Sequence, residues 1–427
     1  MMKKLLSVLT LVSAFSFVQA QQSEKCASMS ILHQHQLDPT VAARMSAVQS
    51  AAKAWSAVNT ATRGGNGPVL TIPVVVHVVY KNATQNITDQ QVYSQIAVLN
   101  QDYRRLNADT VNTPAYFDSI AADIQVEFCL ATLDPQGNPT NGITRTPTSG
   151  GQLFGYFSPL DDVKSAATGG VDPWPTDKYL NIWVCELFPG LLGYAQFPGD
   201  NPATDGVVIT YTAFGNMGTV TAPSTLGRTA THEVGHWMGL YHIWGDDQDC
   251  VTGSDSIPDT PNATAASSSD CQVSRNSCSN EDPWWGTVDP NDMVQNYMDY
   301  SNDSCMNMFT NMQKMRMHGF LYNDSLRFAL FSSPAGCNPL GMNQTAAFEK
   351  YFSLYPNPTD GIINVSYFGS WNSTVSIDII SMTGAVVRSF NAWGSSYTLD
   401  CSGLSSGVYS VKISGEGGSG FKKIVIQ

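Results

Sequence analysis

The chain has 427 residues, more than one ordinary core organises, so two or three domains are expected. Hydrophobic residues make up 42% and charged residues 13%, a globular balance that excludes a disordered chain. With 35 acidic against 22 basic residues and a formal net charge of −13, overall charge does not hold this chain to nucleic acid or anionic lipid.

Residues 1–20 read as a secretory signal peptide. Lys3 and Lys4 precede an apolar run from Leu5 to Val18, and Ala20 offers the small residue for cleavage. That run is too short to cross a bilayer, and no later segment has the ~20 consecutive apolar residues of a transmembrane helix. Without Lys3 and Lys4 the formal charge goes from −13 to −15. Residues 21–66 are polar and rich in Gln, Ala and Ser, ending in the flexible, cleavable stretch Arg63-Gly64-Gly65-Asn66-Gly67-Pro68.

A third segment, 67–335, mixes strands and helices. Thr71 to Tyr80 is β-branched and reads as a buried strand. Thr88-Asp89-Gln90-Gln91 is a capping-box pattern opening a helix to about Arg105. Ile124–Leu133, Tyr179–Leu187, Gly193–Gln196 and Gly206–Tyr211 read as further strands, and a second helix follows residue 224. The expected class is α/β, with helices laid on a mixed sheet. From Asp246 to Asn291 neither period holds, and so long a loop needs staples or metal. Thr310-Asn311-Met312-Gln313 opens another helix, to about Ala329. After a linker at 336–350, residues 351–427 carry six short β-rich runs, which suit a small all-β sandwich.

Export permits disulfides. Of nine cysteines, Cys250, Cys271, Cys278 and Cys305 crowd the loop-rich region and suggest two bridges, with three pairings open. Cys129 and Cys185 lie in apolar runs and read as buried thiols.

Residues 231–242 carry the chemistry. His232 and His236 are four apart, so on a helix both rings leave one face. Ser224 or Thr225 is the expected cap of that helix. Gly239 permits a backbone turn, which brings His242 to the same metal from outside the helix. Three imidazoles around Zn²⁺ leave a fourth position open for water, as in catalytic sites. Glu233, beside the first ligand, is placed to hold that water and act as general base. His33, His35, His77 and His318 lack a partner at ligand spacing and read as structural histidines.

The motif from His232 to His242, followed by Asn296-Tyr297-Met298-Asp299-Tyr300, resembles the metzincin metalloproteases, and in detail the pappalysin family, over roughly residues 68–330. The resemblance implies a mixed twisted sheet with helices and a long disulfide-stapled loop. It implies Met298 as the Met-turn residue beneath zinc and Tyr300 as the phenol supporting the transition state. Leu192–Gln196, with Gly193, Tyr194 and Ala195, is implied as the edge strand that pairs with an extended protein or peptide substrate. It also implies the pairs Cys250–Cys278 and Cys271–Cys305. Calcium is implied in the acidic loop of Asp246, Asp247, Asp249, Asp255 and Asp259. Ser304 stands where Arg-preferring members have an acidic residue, so a neutral pocket and no strict Arg preference are expected. Residues 26–39 resemble the start of the family's pro-segment, in which a cysteine, here Cys26, fills the open zinc position and keeps the enzyme latent.

Leu354–Pro358, Gly403–Tyr409 and Lys422–Ile426 resemble the sorting domain of the type nine secretion system of Bacteroidetes. That implies passage through the outer membrane by its secretion machinery and a released or surface-attached product. The expected protein is a secreted zinc endopeptidase made as a zymogen. The alternatives are a non-catalytic surface adhesin on a protease scaffold and an aminopeptidase.

Overall fold

Valine and isoleucine set the centre of the catalytic segment. Strand β1 (Leu70–Tyr80) carries Val74, Val75, Val76, Val78 and Val79, all buried, each contributing roughly 1.5–3 kcal/mol of burial free energy. Being covered on both faces, it shows a continuous apolar run rather than alternation. A computed structural model of the chain describes residues 25–58, 69–149, 154, 161–246, 249–250, 254–267, 271–279, 284–286, 288–335, 352–367, 375–381, 385–392, 396–415 and 418–427. The signal peptide, the cleavable stretch Arg63–Pro68, the linker and Asp247 lie outside the described residues.

The polar leader is largely helical, as α1 (Ser28–His35) and α2 (Pro39–Val58). After β1 comes α3 (Asp89–Tyr103), capped by Thr88, whose hydroxyl accepts from Gln91 N. A one-turn helix α4 (Ala115–Asp118) precedes β2 (Val126–Leu130), β3 (Ile143–Pro147), β4 (Leu180–Cys185), β5 (Gly193–Ala195) and β6 (Val207–Thr210). Strand β1 pairs in parallel with β2 and then β3 along one side, and with β4 on the other. Strand β6 continues the sheet in parallel, and β5 closes it as the antiparallel edge. Strand β3 has no strong apolar run, which is why periodicity does not reveal it.

Helix α5 (Arg228–Trp237) carries the first two motif histidines, and α6 (Asn311–Asn323) and α7 (Ser325–Ala329) follow the long loop. The expected single helix to Ala329 is thus broken: Asp324 is extended and caps α7 through Leu326 N and Arg327 N. The start of α5 also departs from expectation. Neither Ser224 nor Thr225 caps it. Gly227 takes the N-cap with φ +77°, and the Asp303 carboxylate accepts from Leu226 N at 2.7 Å and Arg228 N at 3.3 Å. A distant carboxylate thus serves the unpaired N–H groups and the positive end of the helix dipole.

The loop is stapled by Cys250–Cys278 and Cys271–Cys305, with Cα atoms 5.5 and 5.4 Å apart. Cys185 is a buried free thiol, whereas Cys129, expected as one, is disulfide-bonded. Among the described residues the tail has seven strands, not six: β7 (Phe352–Tyr355), β8 (Ile362–Tyr367), β9 (Val375–Ser381), β10 (Val386–Ala392), β11 (Ser396–Asp400), β12 (Gly407–Gly415) and β13 (Gly418–Ile426). They form antiparallel sheets in the orders β10-β9-β12-β13 and β11-β8-β7. Alternate residues such as Ile377, Ile379, Val411, Ile413, Ile424 and Ile426 fill the core between the sheets.

Candidate metal centre and cleft

Helix α5 is buried along its whole length, so its polar residues need partners within the protein. Asp102 of α3 supplies several. It accepts from Thr231 Oγ1 at 2.7 Å and Tyr297 OH at 2.9 Å, and forms an ion pair with Arg228, whose Nε lies 3.0 Å away. Burial pushes the Asp102 carboxyl up to about 7, with Arg228 opposing the rise. At the other end, Trp237 Nε1 donates to Asp205, which forms a buried pair with Arg327 at 2.7 and 2.9 Å. The helix is therefore fixed at both ends, which its rings require if they are to share a ligand.

Gly239, at φ +89°, ends the helix and turns the chain; a Cβ there would meet the Phe320 ring at 2.2 Å. The turn brings three rings together. His232 Nε2 lies 3.2 Å from His242 Nε2, and His236 Nε2 lies 3.1 Å from each. Each Nδ1 faces an acceptor: His232 donates to Tyr297 O, His236 to Leu240 O and His242 to the Asp246 carboxylate. Burial, reinforced by the His242 ring, pushes His232 down to about 3 and His236 well below its ordinary value, so both are neutral. A neutral ring with its proton on Nδ1 leaves Nε2 bare. The three Nε2 atoms thus converge on one point, an arrangement that suits a cation among them. Nitrogen ligands at about 2.0–2.1 Å from a tetrahedral zinc would be roughly 3.3 Å apart, close to the spacing here.

Cys26 completes the group: its sulfur and the three ring nitrogens all lie within 4.8 Å of one another. Its sulfur is also 3.2 Å from Glu233 Oε2, and Ser28 Oγ donates to the same oxygen at 2.8 Å. Met298 is fully buried beneath α5, and a Cβ on Gly235 would come within 2.5 Å of its sulfur. The glycine is what lets Met298 approach the helix. Tyr300 lies beside the rings, its centroid 4.9 Å from that of His242, and its OH donates to Cys26 O at 3.2 Å.

The edge β5 is already paired. Leu192 N donates to Lys25 O at 2.8 Å, Ala27 N to Gly193 O at 3.1 Å, and Ala195 N to Ser28 Oγ at 2.8 Å. Gly193 leaves room for Glu233, since a Cβ would meet Glu233 Cγ at 2.9 Å. Tyr194 is fully buried, pointing away from that edge contact into the core with Trp183 and Val208.

The pocket beside Tyr300 is lined by charged groups of both signs. Ser304 is exposed and does not line it; Asp299 and Asp303 do, with Arg228, Thr229 and Pro223. Lys25 lies at this pocket and donates to Tyr300 O at 2.9 Å. Burial lowers the Lys25 ammonium, while Asp299 and Asp303 act to raise it. Sequence spacing gave no sign of Lys25, Ser28 or Asp102, because each acts only through contacts far away in the chain. Among the described residues of the acidic loop, the carboxylates are engaged in hydrogen bonds of their own. Asp255 binds Ile257 N and Thr260 Oγ1, Asp259 binds Thr310 Oγ1 and Met312 N, and Asp246 binds His242. Among the described residues, the His/Cys set is the one cluster of metal-ligating side chains close enough to share an ion.

Residues 167–322 match the pregnancy-associated plasma protein-A family. An extracellular metalloprotease of Arthroderma benhamiae is 32% identical over 253 residues, covering 58% of this chain and 76% of that protein. That of Verticillium alfalfae is 34% identical over 262 residues, covering 59% and 75%. The chain belongs to the pappalysin family of metalloproteases. Among solved pappalysin relatives, mature mirolysin of Tannerella forsythia in complex with a cleaved peptide is 48% identical, with a TM-score of 0.56, over 62% of this chain and 96% of that one. A promirolysin mutant is 42% identical, with a TM-score of 0.62, over 72% and 97%. Residues 353–427 match the secretion system C-terminal sorting domain. This pappalysin is therefore a secreted metalloprotease. Among the described residues no helix is long and apolar enough to cross a membrane.

Proposed function

We propose that the protein is a zinc endopeptidase produced as a latent zymogen. The observation that carries this reading is the convergence of three imidazole nitrogens beside the Glu233 carboxylate. His232, His236 and His242 would hold the zinc, with Met298 as apolar floor. When bound, the zinc would supply Lewis-acid polarisation of the scissile carbonyl and acidify a water at the open position. Glu233 takes the proton of the attacking water and returns it to the leaving amine. Tyr300, whose phenol already donates to a peptide carbonyl at Cys26, donates to the developing oxyanion. Gly193 and Ala195 on β5 pair with the extended substrate backbone.

Latency follows from the same contacts. Residues 25–28 cover the β5 edge, the Cys26 sulfur would hold the metal together with the three histidines, and Ser28 engages Glu233. The promirolysin relative, solved in precursor form, supports this reading. Burial and the Glu233 carboxylate push the Cys26 thiol up; a bound cation would reverse this, because a coordinating sulfur is deprotonated. Lys25 beside Asp299 and Asp303 indicates a substrate pocket that favours a basic side chain.

A blocked-terminus peptide library with the mature enzyme tests the proposal. Internal cleavage, preferentially beside Lys or Arg, is expected, with full loss on adding a chelator and recovery with Zn²⁺. Glu233→Gln should retain zinc yet lower kcat by roughly 10²–10⁴. Chelator-insensitive cleavage, or a fully active Glu233→Gln variant, would overturn the mechanism.

A further inference from the structure

The three histidines are not held alike. The Nδ1 groups of His232 and His236 each face one backbone carbonyl, at 2.7 and 2.8 Å. His242 alone faces a carboxylate, with Asp246 Oδ1 at 2.7 Å and Oδ2 at 2.9 Å. Its ring is also stacked on Trp244, with centroids 4.3 Å apart and planes at 7°, and meets the edge of Tyr300. His242 lies outside α5, so no helix fixes its direction; the side chains around it must.

Asp246 reaches this position through uncommon backbone. Its φ is +63°, a left-handed conformation costly for a side chain with a Cβ, and it follows Gly245 at φ +68°. Two successive left-handed residues curl the chain so that position 246 returns over position 242. The conformation is retained although glycine would adopt it more readily, so the carboxylate is what the turn presents.

We propose that Asp246 is the positioning residue of the metal centre, a carboxylate that fixes the tautomer and orientation of His242 so that its Nε2 faces the metal. This rests on the three-imidazole reading above. A carboxylate on the far ring nitrogen strengthens the ligand as well as orienting it, and loss of such a partner typically costs 10–100-fold in metal affinity. Both oxygens of Asp246 lie within reach of His242, which sets this residue apart from the acidic loop that follows.

The test uses the full-length chain with zinc or cobalt(II) as probe. Asp246→Gly suits the left-handed turn and removes only the carboxylate, so strain cannot explain its effect. It is expected to weaken zinc binding 10–100-fold in competition with a chromophoric chelator and to alter the cobalt(II) absorption bands. Asp246→Asn keeps an acceptor oxygen and should recover most of that loss. Parental affinity and spectrum in Asp246→Gly, or an Asp246→Asn variant as impaired as the glycine variant, would overturn the proposal. Should the glycine variant not fold, the Nδ1 proton resonance of His242 decides: Asp246→Asn should move it, and an unmoved resonance rejects the role. A parent chain that binds no stoichiometric zinc would instead reject the three-imidazole reading.

Discussion

At the scale of single residues, two leader side chains enter the cleft separately. Cys26 Sγ lies among the three histidines, and Ser28 Oγ bonds both Glu233 and Ala195 N. Under the proposed zymogen reading the first would block the metal and the second the base and the substrate edge, so removing one leaves the other. Cys26→Ala is accordingly expected to give a precursor with only partial activity. Cys26→Ala with Ser28→Ala should approach the mature rate, read as cleavage of a quenched peptide before any processing. A Cys26→Ala precursor as latent as the parent would show that the sulfur is not the lock.

At the scale of elements, two contacts decide how the leader and the metal helix are held. Helix α1 meets the loop before β6 through His35 and Asp200, 2.6 Å apart. The bond to Asp200 raises His35 above 6.5, against burial; Asp161 adds to the rise and Lys164 opposes it. Burial pushes Asp200 up, but His35, the Asn201 N–H and the Lys164 charge together leave it lowered. A raised histidine stabilises docking fully below about pH 6.5 and loses that contribution as pH climbs through its raised value. The carboxylate's share is lost only on the acidic side. Leader amides in α1 and α2 should therefore exchange with deuterium faster at pH 8 than at pH 6, after correction for intrinsic rates. His35→Ala should flatten that difference; an unchanged slope would rule the pair out. The second contact is the turn at Gly239. Gly239→Ala combines a left-handed alanine, roughly 1–3 kcal/mol of strain, with a clash against Phe320. It should displace His242 and lower bound zinc, measured by elemental analysis of the purified chain.

At the scale of the molecule, the catalytic core and the tail are separate hydrophobic clusters with no residue in common. The long loop belongs to the first, yet has little apolar periodicity of its own and depends on its staples. Cys271–Cys305 closes a separation of 34 residues, from the loop to the segment just after the Met-turn. Cys271→Ser with Cys305→Ser should cost about 2–4 kcal/mol, seen as a lower urea midpoint for the catalytic unit. The tail transition should not move, because its core contains no part of the loop; movement of both would contradict the separation.

The sequence by itself determined the spacing of the three histidines, the carboxylate beside the first, the helix cap at Thr88, the capping box at Thr310 and the change to short β runs near residue 351. These are local: helical pitch, cap chemistry and strand period act over a few residues, so the order of side chains contains them. Only the tertiary structure decided what lies far apart in the chain. Asp303 caps a helix that begins 75 residues earlier, Asp102 braces Thr231, and Lys25 and Ser28 enter a cleft built some 200 residues later. Ser304 and Cys129 show the reverse, since adjacency to a motif or an apolar run does not say which way a side chain faces or what it meets. Buried polar groups must be paired, and the fold rather than the local sequence brings their partners to them.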